Sequence, residues 1–552
     1  MEKRLILAIV ISFLVIFLWQ AVFFKNKPQP VPAVMPQVQR TETVPGKAVT
    51  GEAAVPAQPT QAGEQAGQAG AAVEMKAEGE GQVVVDTSLY RAVWSNKGAI
   101  LRSWRLKKHK DELSEDLEIV PSLSGETAQY PFMIKTDDPA ADAALNSALF
   151  KFSASNLSLK DGETGKVTFE YSDGKSLRLE KVLAFDGGTY DFGLEIRLWK
   201  NGQKVEPRLI WGPGIGNNLL VQKRQAYGGG GGSAVLVAGR VFRMSDKKYR
   251  ADQSAYNFVD WAAYEDNYTA ALFLMPRAKG SANLLLEMKD KTPLLYLSVS
   301  PPERVFIGPK EMDTLKAFHP TAKKLINFGF FGAISEILLI ALKYIHKYVP
   351  NWGVAIILLT FITKILFFPL TYSSTKSMAK MQEIQPKIKA LRAKYKKAKR
   401  DIAQRREMNE EMMKLYKEHG INPAGGCLPI LIQLPIFWGF FRIFVVAIEL
   451  RRSPFVFWIK DLSVHDPLYV TPILMGITQF ISQKMTPTGA DPAQARMMLL
   501  MPVVMTVFFM NFQSGLVLYW LTNNVLQIGQ QYIMNRMMQK KKRDMHGKRR
   551  EK

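Results

Sequence analysis

Residues 357–370 read ILLTFITKILFFPL, an apolar run interrupted by a single charge, Lys364. With its flanks the run covers roughly 352–373, long enough at 1.5 Å per residue to cross a hydrocarbon core of about 30 Å. A charge at mid-bilayer costs about 2.5–3.5 kcal/mol on insertion scales. Lys364 lies nine residues, about 13 Å, from Ser373 at the end of the run, and a lysine stem spans only about half of that. Water or polar side chains must therefore come to meet it.

The neighbouring sequence offers such a lining. Thr360, Lys364 and Thr371 fall on one helix face. Tyr519, Asn523, Gln527, Gln530 and Gln531 form a second polar stripe in the last apolar segment, Thr471, Thr478 and Ser482 a third, and Gln433 adds an amide. Polar faces on several helices imply a shared wet cavity, although each Thr, Asn or Gln alone serves equally well as interhelical hydrogen-bond glue. The spans contain no Asp or Glu to neutralise Lys364, which argues against a proton- or ion-coupled transporter, because that class embeds carboxylates for its relay. Glu449 falls at the outer end of its segment beside Arg451 and Arg452, and Arg442 is a second intramembrane cation whose partner the sequence does not name.

Five apolar segments share this half of the chain: roughly 352–373, 427–448, 467–484, 496–511 and 515–534. Another, LILAIVISFLVIFLWQAVFF, follows MEKR at the N-terminus and ends in bulky residues without a small-residue cleavage site. It reads as an uncleaved anchor over 1–24. Residues 25–81 are rich in Pro, Gln, Ala and Gly and read as a flexible tether. The period then becomes two: Val167, Phe169 and Tyr171 alternate with polar residues, Asp173-Gly174 supplies a turn, and Leu177 and Leu179 resume the alternation. Residues 82–320 therefore predict a β-sandwich of one large or two fused sheets. The glycine run at 227–233 lacks the Gly-Lys-Ser/Thr ending of a phosphate cradle and reads as a loop. Residues 321–349 predict an amphipathic helix at the membrane surface, with Glu336, Lys343 and Lys347 on its polar stripe.

Basic residues orient the chain. Residues 376–420 hold 14 Lys/Arg against 6 Asp/Glu, while 449–466 hold 3 of each, so the first is cytoplasmic and the second external. The tail over 536–552 carries 9 Lys/Arg and is cytoplasmic too. Six transmembrane helices with both termini inside satisfy every loop, and the β-domain is exported. The formal charge of +24 is thus concentrated beside membrane spans. Within 376–420, Met378, Met381, Ile384, Ile388, Leu391 and Tyr395 recur every three or four residues, as do Ile402, Met408, Met412 and Leu415, predicting a helical hairpin with Pro386 kinking or restarting its first helix. The methionines serve as a seam or as an adaptable binding face.

Bond chemistry has no visible seat. There is no H-E-x-x-H, G-x-S-x-G or Walker loop, the six histidines are scattered, and Cys427 is the only cysteine, which excludes an intramolecular disulfide and a multi-thiolate metal site. The sequence predicts no enzyme, no cofactor and no metal site.

At NPAGGCLPILIQLPIFWGFF (422–441) the chain resembles the YidC-type membrane protein insertases of the YidC/Oxa/Alb family. The likeness continues through LTFITKILFFPLT, SMAKMQEIQPKIKALR, IELRRSPFVFWIKDLSVHDPLYVTPILMG, QKMTPT and SGLVLYW, covering most of 350–535. An anchor followed by a long exported β-domain resembles the Gram-negative members, whose inner-membrane form carries a periplasmic supersandwich. The resemblance implies five core helices forming a hydrophilic groove open to cytoplasm and lipid, into which nascent transmembrane segments enter. It makes Lys364, Thr360, Gln433, Asn523, Gln527 and Tyr519 candidate groove residues, and Met378, Met381, Met408 and Met412 candidates for recruiting substrate. It implies nascent membrane proteins, the Sec translocon, the ribosome and the lipid bilayer as partners. The family's usual residue at the position of Lys364 is arginine, and Gln513 stands where many relatives have proline. A competing reading is a transporter or channel with a solute-binding periplasmic domain; it predicts solute flux, where the insertase predicts nucleotide-independent insertion of short membrane proteins.

Overall fold

The computed structural model describes residues 73–550 except 112–113, 217–231, 246–248, 252–253, 277–278, 290–291, 396–400, 421–427 and 487–491. The anchor expected over 1–24, most of the tether, Cys427 and most of the glycine run lie outside these residues. The tether ends earlier than its composition suggests. The Met75 amide and carbonyl pair with Ser172, and the Gly81 amide donates to Asn96 Oδ1 at 2.7 Å, so 75–81 already belong to the β-region. Gly232 and Ser233, placed in a loop by the sequence reading, open the strand Gly232–Val237 instead.

Among the described residues, twenty strands form three sheets: one of ten strands and two of five. The predicted hairpin is present, with Thr164–Ser172 antiparallel to Leu177–Asp186. Asp173 Oδ1 caps its turn by accepting from the amides of Lys175, Ser176 and Leu177, and Gly174 takes the positive φ of +70° that a Cβ would disfavour. Sequence periodicity shows which residues face inward, but not how the sheets divide. That division is set by aromatic packing. Phe132 has its ring 4.9 Å from Trp94, 6.0 Å from Phe192 and 6.1 Å from both Trp211 and Phe273, so residues of all three sheets meet around it. Each such buried ring contributes about 1.5–3 kcal/mol.

Lys181 lies in the same core with essentially no exposed surface. Its ammonium donates to the carbonyls of Gly98 (3.3 Å), Ala99 (2.9 Å) and Phe132 (2.9 Å), matching three donors to three acceptors. Burial pushes its amine down to about 7.

Beyond the helix Met312–Phe318, the described residues form eight α-helices: α1 (Gly332–Tyr348), α2 (Trp352–Glu383), α3 (Gln385–Lys394), α4 (Ile402–Glu418), α5 (Leu428–Val446), α6 (Val470–Met485), α7 (Pro492–Phe509) and α8 (Ser514–Arg550). Two glycines allow close approach between helices. A Cβ on Gly476 of α6 would stand 1.9 Å from Thr506 Oγ1 of α7, and one on Gly515 of α8 2.3 Å from the Phe444 ring of α5.

These helices turn large apolar side chains outward: Phe361, Ile365 and Leu366 on α2, Ile473 and Ile477 on α6, Leu500, Val503 and Val507 on α7, and Val525 and Ile533 on α8. Exposed apolar side chains in this number mark a surface that lipid or a partner covers. Among the described helices, α2 alone is long and apolar enough to count as a span by length and hydropathy; 433–446 and 498–509 are shorter apolar stretches. α6, at 16 residues, is too short for that measure, and α8 falls below it in hydropathy because it carries the Asn and Gln stripe. On α1 the exposed face is Ile337, Ile340, Tyr344 and Tyr348, while Leu338, Leu339 and Leu342 are buried.

The loop between α5 and α6 ties the helix heads together. Asn351 at the head of α2 donates to the Phe455 carbonyl at 2.9 Å, and the amides of Ser514 and Gly515 at the head of α8 donate to Val464 (2.6 Å) and Leu462 (3.0 Å). The same loop meets the β-region: Arg451 donates to the Lys110 carbonyl at 2.8 Å. Glu449, which the sequence placed beside Arg451 and Arg452, instead faces Lys343 of α1 at 3.6 Å, and Lys343 also pairs with Asp313.

Candidate functional site

Lys364 sits midway along α2, half-buried, while the two residues that follow it, Ile365 and Leu366, are exposed. Its ammonium donates to Gln527 Oε1 of α8 at 2.8 Å. Further along the same pair of helices, Gln530 Nε2 donates to Thr371 Oγ1 at 2.9 Å. The two stripes read from the sequence therefore face each other. A run of i, i+3 and i+4 polar positions on two helices can only be satisfied in an apolar bundle by such pairing or by water.

Gln527 is a neutral acceptor. It holds the ammonium in place without cancelling its charge, and among the described residues no carboxylate forms an ion pair with Lys364. The site thus presents a cation oriented by an amide.

Tyr519 and Asn523 continue the α8 stripe toward the head of the helix, both nearly buried. The Tyr519 hydroxyl shares a hydrogen bond with the Gln433 side chain of α5, and its ring stacks on Phe440 at 4.4 Å. Gln433 and Tyr519 thus belong to an α5–α8 contact adjoining the lysine rather than to its immediate partners. Thr360, at 1% exposure, donates its hydroxyl to the Ile356 carbonyl of its own helix at 2.6 Å, a bond within α2 that is neither interhelical glue nor a cavity contact.

The methionines divide. Met381 and Met412 pack with Leu415 and Tyr416 against the buried Ile384 and Ile388, forming the seam between the α2–α3 segment and α4. Met378 and Met408 are half-buried outside that cluster. The join between α3 and α4 lies outside the described residues. Pro386 occupies the first turn of α3, so of the kink and the restart expected of it the structure shows the restart.

Arg442 of α5 finds the partner that the sequence could not supply: its Nη2 donates to the Asn327 carbonyl. Gln513 stands immediately before α8, where its carbonyl accepts from the amides of Leu516 (3.0 Å) and Val517 (3.2 Å). The sequence reading missed Asp466, which has no exposed surface. Its carboxylate accepts from Trp458 Nε1 (2.9 Å), the Leu468 amide (2.9 Å), and the Thr471 amide (2.8 Å) and hydroxyl (2.7 Å). Burial works to raise its pKa, but these donors outweigh it and hold the carboxyl below the usual Asp value. An Asp a few residues ahead of an apolar helical run is the capping signal that would have found it.

No group of three or more His, Cys, Asp or Glu suited to a metal ion occurs among the described residues.

Two family models match the chain: the YidC periplasmic domain over residues 82–341 and the 60Kd inner membrane protein over 344–542. The chain is similar to the membrane protein insertase YidC of Syntrophus aciditrophicus, 37% identical over 564 residues that cover 97% of this chain and all of the relative. It is similar to the same-named protein of Geotalea daltonii, 36% identical over 567 residues, 98% of this chain and all of that one. A crystal structure of an active YidC insertase with its first transmembrane domain resolved matches at 19% identity and a TM-score of 0.36, covering 83% of this chain and 93% of that one.

Proposed function

Since the chain belongs to the YidC family of membrane protein insertases, inner membrane proteins with a β-rich periplasmic domain and a helical C-terminal region, we propose that it moves nascent transmembrane segments into the bilayer through a hydrophilic groove between α2, α5 and α8, with Lys364 as its intramembrane cation. The observation that carries this reading is the Lys364–Gln527 contact: a cation held at 2.8 Å by a neutral amide on a helix whose other face is lipid-exposed apolar surface.

The energetics favour such a device. Carrying an Asp or other charged group into the middle of a bilayer costs about 2.5–3.5 kcal/mol. A fixed cation about 4 Å away returns up to ~4 kcal/mol at an effective dielectric of about 20. The two are comparable, so a single positive charge offsets the entry of an acidic flank. No bond is made or broken. The loop 447–469 seals the outer end by lacing the heads of α2, α6 and α8, which leaves the cytoplasmic and lipid sides for entry.

In this account the chain has six spans with both termini cytoplasmic: the anchor over 1–24, then α2, α5, α6, α7 and α8. The segments are the tether to 74, the periplasmic domain over 75–320, the interfacial helix over 321–349, the core over 350–535 with the cytoplasmic hairpin 376–420, and the basic tail over 536–552. Gln433, Asn523, Gln527 and Tyr519 line or support the groove, and Thr360 backs it. The methionine seam shapes the hairpin that first meets substrate, the tail contacts ribosomes, and the protein works alone or beside the Sec translocon.

A photo-crosslinking amino acid at Gln527, tested in membranes carrying a stalled nascent membrane protein, checks the groove. Crosslinks to the entering span are expected from position 527 and not from the lipid-facing position 533. Equal capture at both positions argues that substrate slides along the outside of the bundle.

A further inference from the structure

A cavity of about 270 Å³ opens at the head of α1, lined by Arg243, Lys323, Lys324 and Glu336 with the loop Asn327–Gly329 and Gly332. It is separate from the Lys364 groove. Its cations come from different elements and are held there by the fold. Arg243, on the strand Arg240–Met244, is aimed by Glu265 at 3.0 Å and by the carbonyls of Lys324 (2.8 Å) and Leu325 (2.9 Å). Lys324 donates to the Gly239 carbonyl at 2.8 Å, and Lys323 lies 3.6 Å from Glu336.

The charges do not cancel. Glu265 is shared with the buried Lys310 at 2.6 Å, so the lining itself holds three cations against one carboxylate, Glu336. Two further features add positive potential. The first turn of α1 has no side-chain cap, and the positive end of its dipole falls at Gly332, which lines the cavity. Arg442 reaches the same loop through the Asn327 carbonyl, and its buried Nε has no partner among the described residues. At about 30 Å³ per water the cavity has room for roughly nine waters, ample for a phosphate group.

What lies beside the cavity narrows the anion. Phe330, 82% exposed, stands at its edge, and the face of α1 that continues from it carries the exposed Ile337, Ile340, Tyr344 and Tyr348. A free anion would use only the basic cavity. A molecule joining a phosphodiester to acyl chains would fill the cavity and cover the apolar face at once.

We propose that this cavity binds the phosphodiester of an anionic phospholipid, with the acyl chains lying along the Phe330–Tyr348 face of α1. Lys323, Lys324 and Arg243 neutralise the headgroup, and Glu336 weakens the site by occupying Lys323. Bound lipid pins α1 at the membrane surface.

The test is native mass spectrometry of the detergent-solubilised full chain with added phosphatidylglycerol, phosphatidylcholine or inorganic phosphate. It compares wild type with Lys323→Gln/Lys324→Gln, Glu336→Gln and the distant surface control Lys160→Gln. The proposal expects phosphatidylglycerol adducts that fall at least fivefold in the double variant, rise about two- to threefold in Glu336→Gln, and stay unchanged in the control. The rise cannot come from misfolding. Equal binding of the two lipids, or adducts indifferent to both site variants, overturns it. Inorganic phosphate displacing phosphatidylglycerol at equal concentration overturns the lipid assignment in favour of a free-anion site.

Discussion

Lys364 on α2 and Gln527 on α8, 163 residues apart in sequence, meet at 2.8 Å, and the acceptor is an amide rather than a carboxylate. That choice keeps the charge available. A Glu at position 527 would form an ion pair with Lys364 and quench it. Gln527→Glu should therefore fold normally yet lose most insertion of a substrate with an acidic flank, at least tenfold, while a substrate with a neutral flank loses little. Protease-protection assays on the two substrates in parallel read the difference.

Asp466 predicts a structural loss at the outer seal. Asparagine keeps one acceptor oxygen and adds donors, leaving two of the four present donors unpaired, a cost of about 2 kcal/mol. Asp466→Asn should lower the detergent-solubilised Tm by a few degrees. The folded carboxyl sits below its unfolded value of about 3.9, so the wild-type advantage is present above that pH and lost as pH falls through the folded value. The gap between the two Tm curves should close in acid.

Lys181 gives the opposite pH signature. Its folded value of about 7 lies below the unfolded value of about 10.4, so between the two the unfolded chain holds the extra proton. Stability rises with pH in that window, by up to ~1.4 kcal/mol per unit. Lys181→Met should destabilise the β-region by leaving three carbonyls without their donor, and the stability of wild type relative to it should grow from pH 7 to pH 10. Chemical denaturation followed by tryptophan fluorescence at several pH values measures this.

The seam between α3 and α4 rests on a small cluster around Ile384 and Ile388. Ile388→Ala removes about 2–4 kcal/mol of packing from a hairpin whose other contacts are exposed polar ones such as Lys394–Glu411. Hydrogen exchange should accelerate severalfold across 385–418 and remain unchanged in the strands 164–186.

Much of this was legible from residue pattern. Period-two alternation located the hairpin at 164–186, and the polar stripes on α2 and α8 were visible because 3.6-residue spacing is readable wherever one face differs chemically from the rest. Contacts between distant segments were not. The meeting of three sheets at Phe132, the pairing of Glu449 with Lys343 and the anchoring of Arg442 on Asn327 depend on which strand or loop lies opposite, and local sequence carries no record of that. Thr360 illustrates a different limit. A hydroxyl on a polar stripe satisfies its own helix as readily as a cavity, and only the 2.6 Å bond to Ile356 separates the two. Asp466 was missed for a simpler reason: its value as a loop charge hid its role as an acceptor.

The most direct test of the cationic groove reconstitutes the purified chain in liposomes and measures protease-protected insertion of a short, acidic-tailed membrane protein, with wild type, Lys364→Ala and Lys364→Arg at matched levels. Arginine keeps the charge, with a planar fork in place of the ammonium. The account predicts that alanine abolishes insertion and arginine preserves it; equal insertion by all three would contradict it.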